Sequence, residues 1–404
     1  MTDHGKGTAD LKERVLMVHN FYQIGGGEHT VFANEKRLLS EHEHYVTEYT
    51  RDNDELNHSL LKKLLLPFTS VFSLRTYREV QRIIHAENID LVHCHNTFPL
   101  ISPSVYYAAR RCGVPVVQTI HNFRFLCANG VLSREGKPCE DCLLNGLKCA
   151  LKHRCYRNSW VQTLVLVNML RIHRLLGTYK RIRYIFLTDF NREKFRGLLG
   201  EWLDHQFIKP NFEFIDQVSA ENNRENVFVY IGRLEPDKGI DFLLKAWAEE
   251  TERDLYIFGD GILQEETEET CLWNPRIHRM GFQSKEVILN YLGKARAMIF
   301  PTDLYEGFPM TIIESFATGT PVICSDIGNG AEIVRKYNAG VPFAVRNVDA
   351  LMKAITEVEK GFSEYSKHAR KAYEDNFTPE TNYRQLISIY EKIIADSHVK
   401  VKDS

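Results

Sequence analysis

Val227-Phe228-Val229-Tyr230-Ile231-Gly232-Arg233-Leu234-Glu235-Pro236-Asp237-Lys238-Gly239 sets an unbroken apolar run before a charged, glycine-bearing turn, and Ile240-Asp241-Phe242-Leu243-Leu244 opens an amphipathic pattern directly after it. A short apolar run bounded by glycine reads as a strand buried on both faces, and such strands belong to parallel sheets whose crossovers are helices. The same unit recurs on either side. Runs at 254–258, 276–280, 297–300 and 321–325 follow it, and runs at 15–19, 91–95, 114–120 and 184–188 precede it. Each leads through a polar or glycine-bearing turn into a helical pattern. This alternation predicts an α/β chain with two doubly wound domains. Proline interrupts the winding at Lys209-Pro210-Asn211, ahead of the polar tract 219–226. A first domain is therefore expected at 1–209, a second at 210–380, and a closing helix at 381–404 that packs back on the first.

Two domains also suit the length, 404 residues at about 150 per domain. With 44% hydrophobic and 26% charged residues, the composition is that of a globular protein and excludes disordered and fibrous classes. The 51 Lys+Arg against 53 Asp+Glu leave a net charge of −2, which argues against nucleic acid as a partner. No run approaches the roughly 20 apolar residues of a membrane span, and residues 1–14 lack the apolar centre of a signal peptide. A cytoplasmic location is expected.

In open α/β sheets ligands bind beyond the carboxyl ends of the strands, so the loops there should carry the chemistry. After 15–19 comes Gly25-Gly26-Gly27-Glu28. Gly26 and Gly27 at a helix N-terminus would let a phosphate or sugar hydroxyl meet free N–H groups. A plain tight turn with Glu28 near the positive helix end fits the same residues as well. The dinucleotide pattern G-x-G-x-x-G fails at Thr30, which removes the main support for a dehydrogenase. After 227–231, Arg233 and Lys238 can converge on one anion across a turn stiffened by Pro236, a diphosphate being the natural guest. The competing reading is an exposed basic pair neutralised by Glu235 and Asp237. Gly259 in Gly259-Asp260-Gly261 and Gly281 in Met280-Gly281-Phe282 could each admit a flat ring or serve as ordinary turns.

Phe300-Pro301-Thr302-Asp303-Leu304-Tyr305-Glu306-Gly307-Phe308-Pro309-Met310-Thr311-Ile312-Ile313-Glu314 is the most informative loop. A strand end leads to a carboxylate at Glu306, then to a helix starting near Pro309, where proline costs little. Glu314 follows one turn in. The two carboxylates can bracket a ligand whose phosphates rest on the helix N-terminus, each accepting hydrogen bonds from hydroxyls at opposite ends.

The E-x7-E pair Glu306 and Glu314, the G-R-L-x-x-x-K-G turn, the GDG loop and the early GGGE loop stand in the order seen in glycosyltransferase family 4. The resemblance spans residues 14 to 395. It implies the GT-B fold, two Rossmann-like domains facing a cleft, and retaining transfer of a hexosyl or N-acetylhexosaminyl unit in surface-polysaccharide synthesis. The donor would be a nucleotide-diphosphate sugar, with no metal or other cofactor required for catalysis. By the same resemblance Arg233 and Lys238 hold the diphosphate, Glu306 binds the transferred sugar and Glu314 the ribose. Backbone near Gly307, Phe308 and Met310 contacts phosphate or sugar, Gly281 lies near the base, and His121 resembles the donor-sugar histidine. Pro309 stands where many members have glycine, which puts one phosphate contact in doubt. The acceptor would be a glycan or lipid-linked. A sugar-nucleotide-binding protein without transfer activity is the alternative, since the same loops serve both.

Three further features stand outside this pattern. His85-Ala86-Glu87 and Pro138-Cys139-Glu140-Asp141-Cys142 spell the halves of a zinc deaminase, but they lie far apart, and His85 and Glu87 close a helix instead of opening one. Cys127, Cys139, Cys142 and Cys155, in the loop 127–155, offer four soft ligands suited to structural zinc, or free thiols packed in a loop. The segment 143–183 holds nine Lys or Arg and no acid, interleaved with leucines. It reads equally as a helix lying on an anionic membrane surface, which would place the protein peripherally at the inner face, and as a core-facing helix with solvated arginines.

Overall fold

The computed structural model describes residues 12–23, 26–57, 59–215 and 224–402; Gly25 and most of the tract 219–226 lie outside them. Two six-stranded sheets, parallel throughout, form the frame. The first comprises β1 (Arg14–Phe21), β2 (Tyr45–Asp52), β3 (Leu91–Asn96), β4 (Val116–Ile120), β5 (Arg183–Phe186) and β6 (Phe207–Ile208), in the order β2-β1-β3-β4-β5-β6. The second comprises β7 (Val227–Ile231), β8 (Asp254–Phe258), β9 (Ile277–Gly281), β10 (Ala297–Phe300), β11 (Val322–Ser325) and β12 (Gly340–Phe343), in the order β9-β8-β7-β10-β11-β12.

The central strands are those whose apolar runs the sequence shows. Val15, Leu16, Met17 and Val18 of β1, like Phe228 and Val229 of β7, are wholly enclosed because helices cover both faces of each sheet. Three strands carry no such run. β2 is an edge strand with only Tyr49 buried, so its residues alternate toward water and read as polar. β6 is two residues long. β12 contains Pro342, which is tolerated because the strand forms the edge of its sheet.

The direction of winding reverses between β1 and β3 in the first sheet and between β7 and β10 in the second. Crevices open at such reversals. The chain then crosses back. Helix Phe362–Asn376 buries Ala369, Ala372 and Tyr373 in the second domain, whereas Leu386, Ile389, Tyr390 and Ile393 of helix Pro379–Lys402 pack with Val15, Met17, Val117 and Ile185 of the first sheet. Each such side chain contributes about 1.5–3 kcal/mol by burial. Lys209, fully buried after β6, lies 2.7 Å from Glu35 and 2.9 Å from Asn382, so this helix also completes an internal ion pair.

Candidate active-site cleft

At the reversal of the second sheet, a single helical turn, Pro236–Lys238, follows β7 and brings Lys238 Nζ within 2.6 Å of Glu306 Oε1. Thr302 Oγ1 donates to the same oxygen at 3.1 Å. Gly239 makes this approach possible. It lies at φ +74, and a Cβ there would stand 1.9 Å from the Pro301 carbonyl oxygen, so only glycine lets the loops after β7 and β10 touch. The loops after β7, β8 and β9 are laced by backbone bonds, Gly232 N–H to Phe258 at 3.0 Å and Gly259 N–H to Gly281 at 2.9 Å.

Arg233 does not join this pair. Its side chain is 62% exposed, and its guanidinium donates to Glu235 at 2.7 Å. Helix Met310–Ala317 starts after Pro309 and carries Glu314 on its inward side. Burial pushes Glu314 up to about 7, opposed by Lys285, whose Nζ lies 3.8 Å away. Lys285 also holds Glu213 at 2.7 Å, and Asn34 of the first domain donates to Glu213 at 3.2 Å. Neither Lys285 nor Glu213 belongs to a motif in the sequence. Phe308 turns its ring into the second-domain core near Phe377, which leaves its backbone as the part available to a ligand.

The loop after β10 also meets the first domain. A Cβ on Gly307 would lie 2.2 Å from the His121 carbonyl oxygen. The Gly307 carbonyl accepts from Asn191 and Asn329, each at 2.8 Å, and Asn329 donates to Asn191 at 2.8 Å. Glu332 accepts from the backbone N–H groups of Asp189 at 3.0 Å and Phe190 at 2.6 Å. The seam between the domains therefore runs along Glu306-Gly307.

Behind His121 lies a buried chain of polar side chains. His121 Nε2 is 3.0 Å from His95 Nδ1 with the rings stacked, and His95 Nε2 is 3.3 Å from Glu35 Oε2. His93 bonds Tyr390 and Thr119, each at 2.7 Å. Burial alone would raise Glu35, but Lys209 and the two histidines outweigh it and hold the carboxyl well below its ordinary value. Burial, reinforced by His95, holds His121 well below its ordinary value, so it is neutral. An anionic Glu35 attracts the Nε2–H of His95. With its Nε2–H turned to Glu35, His95 presents Nδ1 to His121 Nε2–H, which leaves Nδ1 of His121 a bare acceptor. The signal for this chain is the alternation His93-Cys94-His95-Asn96 at the end of β3, which belongs to none of the motifs above.

Gly26 and Gly27, at the start of helix Gly27–Glu41, have open space where a Cβ would stand. Glu28 accepts from Asn122 at 3.2 Å, and burial pushes its carboxyl up to about 7 against the pull of Arg124.

The possible zinc site needs correction, and the other two features outside the family pattern can be placed. Among the described residues, the His, Cys, Asp and Glu groups of three or more whose ligating atoms lie within 4.8 Å of one another are His19–Glu28–His29 and Glu35–His93–His95. Cys127, Cys139, Cys142 and Cys155 form no such group, so the tetrahedral zinc arrangement is not built. Cys127 and Cys142 instead pack as small apolar residues beside Leu126, Leu132 and Leu147, and the Cys127 thiol donates to Asn129 at 3.1 Å. The deaminase halves stay apart, with His85 against Cys112 and Glu87 accepting from Tyr45 at 2.6 Å. In helix Trp160–Leu175, Leu166, Val167, Met169 and Leu170 are core residues, and Arg174 turns inward to donate to the Phe125 carbonyl at 2.7 Å. Arg171 and Arg174 therefore do not share an outer face.

Two parallel α/β domains whose sheet reversals meet along one seam define the GT-B fold. Residues 211–375 match the model for glycosyl transferases group 1, and residues 24–145 that for Glycosyltransferase Family 4. The chain belongs to glycosyltransferase family 4. It is 22% identical to an uncharacterized glycosyltransferase of Methanocaldococcus jannaschii, with 76% of each chain covered. It is also 22% identical to the UDP-Gal:alpha-D-GlcNAc-diphosphoundecaprenol alpha-1,3-galactosyltransferase of Escherichia coli, with 82% of each covered. Among solved structures, Anabaena Alr3699/HepE in complex with UDP superposes with a TM-score of 0.63 at 16% identity, covering 94% of this chain and 100% of that one.

Proposed function

We propose that the protein is a metal-independent, retaining glycosyltransferase. It moves a hexosyl or N-acetylhexosaminyl unit from a nucleotide-diphosphate sugar to a hydroxyl of a glycan or lipid-linked acceptor in cell-surface glycan synthesis. The second domain takes the nucleotide and the first takes the acceptor, on the cytoplasmic side of the membrane. The observation that carries this reading is the meeting at the seam, where the Lys238–Glu306 pair lies one residue from Gly307, itself seated on the His121 carbonyl. A donor in this cleft has Lys238 and the N-terminus of helix Met310–Ala317 beside its diphosphate. They stabilise the charge that develops as the sugar leaves, where preorganised dipoles act most strongly. Glu306 accepts from sugar hydroxyls, and bare Nδ1 of His121 accepts another. Glu314 accepts from the ribose. The leaving phosphate oxygen then takes the acceptor's proton on the face it has just vacated, which retains the anomeric configuration.

A uridine donor is supported by the UDP bound to the Anabaena protein and by the UDP-galactose of the Escherichia coli relative, whose lipid-linked acceptor supports the same acceptor class here. The test is a thermal-shift panel of nucleotide sugars followed by an assay for free nucleotide. A ligand at a hundred times its dissociation constant stabilises by about 2.7 kcal/mol. Stabilisation by one nucleotide sugar, with nucleotide released when a polyprenyl-diphosphate-linked sugar is added, is the expected result. Stabilisation without release for any acceptor would assign a sugar-nucleotide-binding protein.

A further inference from the structure

His19, near the carboxyl end of β1, is fully buried, and neither of its ring nitrogens has a hydrogen-bond partner among the described residues. A neutral imidazole carries one N–H donor and one bare nitrogen, so two polar groups stand unpaired in an interior where such groups are nearly always paired. Packing accounts for the ring but not for its polarity. Phe32 stacks on it with 4.9 Å between centroids and Phe21 meets it edge-on at 4.6 Å, contacts that a phenyl ring would make equally well. Two further groups close on it from the start of helix Gly27–Glu41. One ligating atom each of His19, Glu28 and His29 lie within 4.8 Å of one another, yet no two of these residues are hydrogen-bonded together. Glu28 accepts from Asn122 through Oε2, whereas its Oε1 is buried without a partner. Arg124 attracts this carboxylate without bonding it and donates instead to the Ala128 carbonyl at 3.1 Å. The bare nitrogen of His29, Nε2, has only the Tyr22 N–H at 3.2 Å.

The other cluster of this kind shows what is different here. Glu35, His93 and His95 meet the same spacing, but Lys209 Nζ stands 2.7 Å from Glu35, and His93 is bonded to Tyr390 and Thr119, so that cluster already holds a cation of the chain itself. Around His19, among the described residues, no Lys or Arg is bonded to any of the three. Ligating atoms around a tetrahedral ion with bonds of about 2.0–2.1 Å stand roughly 3.3 Å apart, so side-chain rotations bring the three onto one ion, with His29 exchanging its long bond to Tyr22. Two imidazoles and one carboxylate suit Zn2+ and related transition ions, whereas Mg2+ and Ca2+ take sets of oxygens. A cation at a helix N-terminus opposes the helix dipole, and Glu28, in the first turn, offsets this. Glu28 and His29 keep some exposure, which gives an ion a way in.

We propose that His19, Glu28 and His29 bind one divalent transition-metal ion of the zinc class, which staples the end of β1 to the start of helix Gly27–Glu41. The site belongs to the first domain, whereas Lys238 and Glu306 belong to the second. The ion is therefore a brace and takes no part in the transfer step, and the inference does not rest on that step. It is tested on the full chain, stripped with a chelator and then titrated with Zn2+ by calorimetry and with Co2+ by visible absorption. Wild type is expected to bind one ion per chain, to melt at a higher temperature with Zn2+ than without it, and to give a Co2+ spectrum that lacks a sulfur-to-metal charge-transfer band. Glu28→Gln and His29→Gln should each weaken Zn2+ binding at least about a hundredfold, because even partners standing behind the ligands account for about 10–100-fold. Their metal-free melting temperatures should stay near that of wild type. His19→Phe, which keeps a ring between Phe21 and Phe32, should also lose the ion, and the other two variants carry the test if it fails to fold. Failure of wild type to bind Zn2+ overturns the proposal. So does Zn2+ binding that Glu28→Gln and His29→Gln both retain, or a sulfur charge-transfer band with Co2+, which would assign the ion to the cysteines.

Discussion

Lys238 and Glu306, 68 residues apart in the chain, form a charge-assisted hydrogen bond of 2.6 Å across the reversal of the second sheet. The cation that is to meet a diphosphate and the carboxylate that is to meet a sugar are therefore held to each other before either meets a ligand. Lys238→Ala should weaken nucleotide-diphosphate binding by roughly 1.5–3 kcal/mol, the range for a hydrogen bond to a charged group, while leaving the fold intact. Glu306→Gln should depress turnover more than nucleotide affinity. Calorimetry with UDP, set beside steady-state rates, separates the two; unchanged UDP affinity in Lys238→Ala would remove Lys238 from the diphosphate site.

Glu314 supplies a pH test. Burial raises it from its ordinary 4.5 to about 7. A carboxyl raised on folding binds more protons in the native than in the unfolded chain between those values. Its contribution to stability is therefore fully present below about 4.5 and is lost as pH rises through about 7. Glu314→Gln should match wild type in melting temperature on the acid side and exceed it on the alkaline side, the difference growing as pH rises from about 4.5 to about 7 and levelling off above that. Nucleoside binding should strengthen through the same range in wild type only. A flat difference across the range would show that Glu314 is ionised throughout.

His95 positions His121 through the 3.0 Å bond between the rings. His95→Phe keeps a stacked ring and removes the acceptor, so His121 loses the preference for a proton on Nε2. Nitrogen chemical shifts of His121 should then report a mixture of tautomers. Loss of one hydrogen bond's worth of orientation, about 0.5–1.5 kcal/mol, should lower kcat/KM a few-fold. A single unchanged tautomer would mean that the His121 ring is held by something other than His95.

Gly307→Ala places a methyl where the His121 carbonyl oxygen now sits, 2.2 Å from the ideal Cβ position. The seam must open to admit it, whereas the second-domain core does not change. UDP binding should persist and transfer should fall steeply, a split that UDP titration and nucleotide-release rates would show. Equal loss of both would place Gly307 inside the nucleotide site.

The buried strands, the α/β class and the family were legible in the sequence because each rests on local chemistry. An enclosed parallel strand must be apolar throughout, as 227–231 is, and a loop that meets phosphate needs glycine and a cation within a few residues, as Gly232 to Gly239 shows. The edge strand Tyr45–Asp52 was not legible, because half of it faces water and reads as loop. Long-range pairings lay beyond any pattern. Nothing near Glu35 announces Lys209 or His95, and nothing near Cys127 shows that its sulfur fails to converge with those of Cys139 and Cys155. Arg233 and Lys238 look alike in the turn, yet only Lys238 finds Glu306. Leu61, Leu64, Leu65 and Phe68 have the spacing of a core stripe, yet all four are exposed. Spacing decides which residues share a face of one element, but which face is covered, and which charges meet, depends on how separate elements are brought together in space.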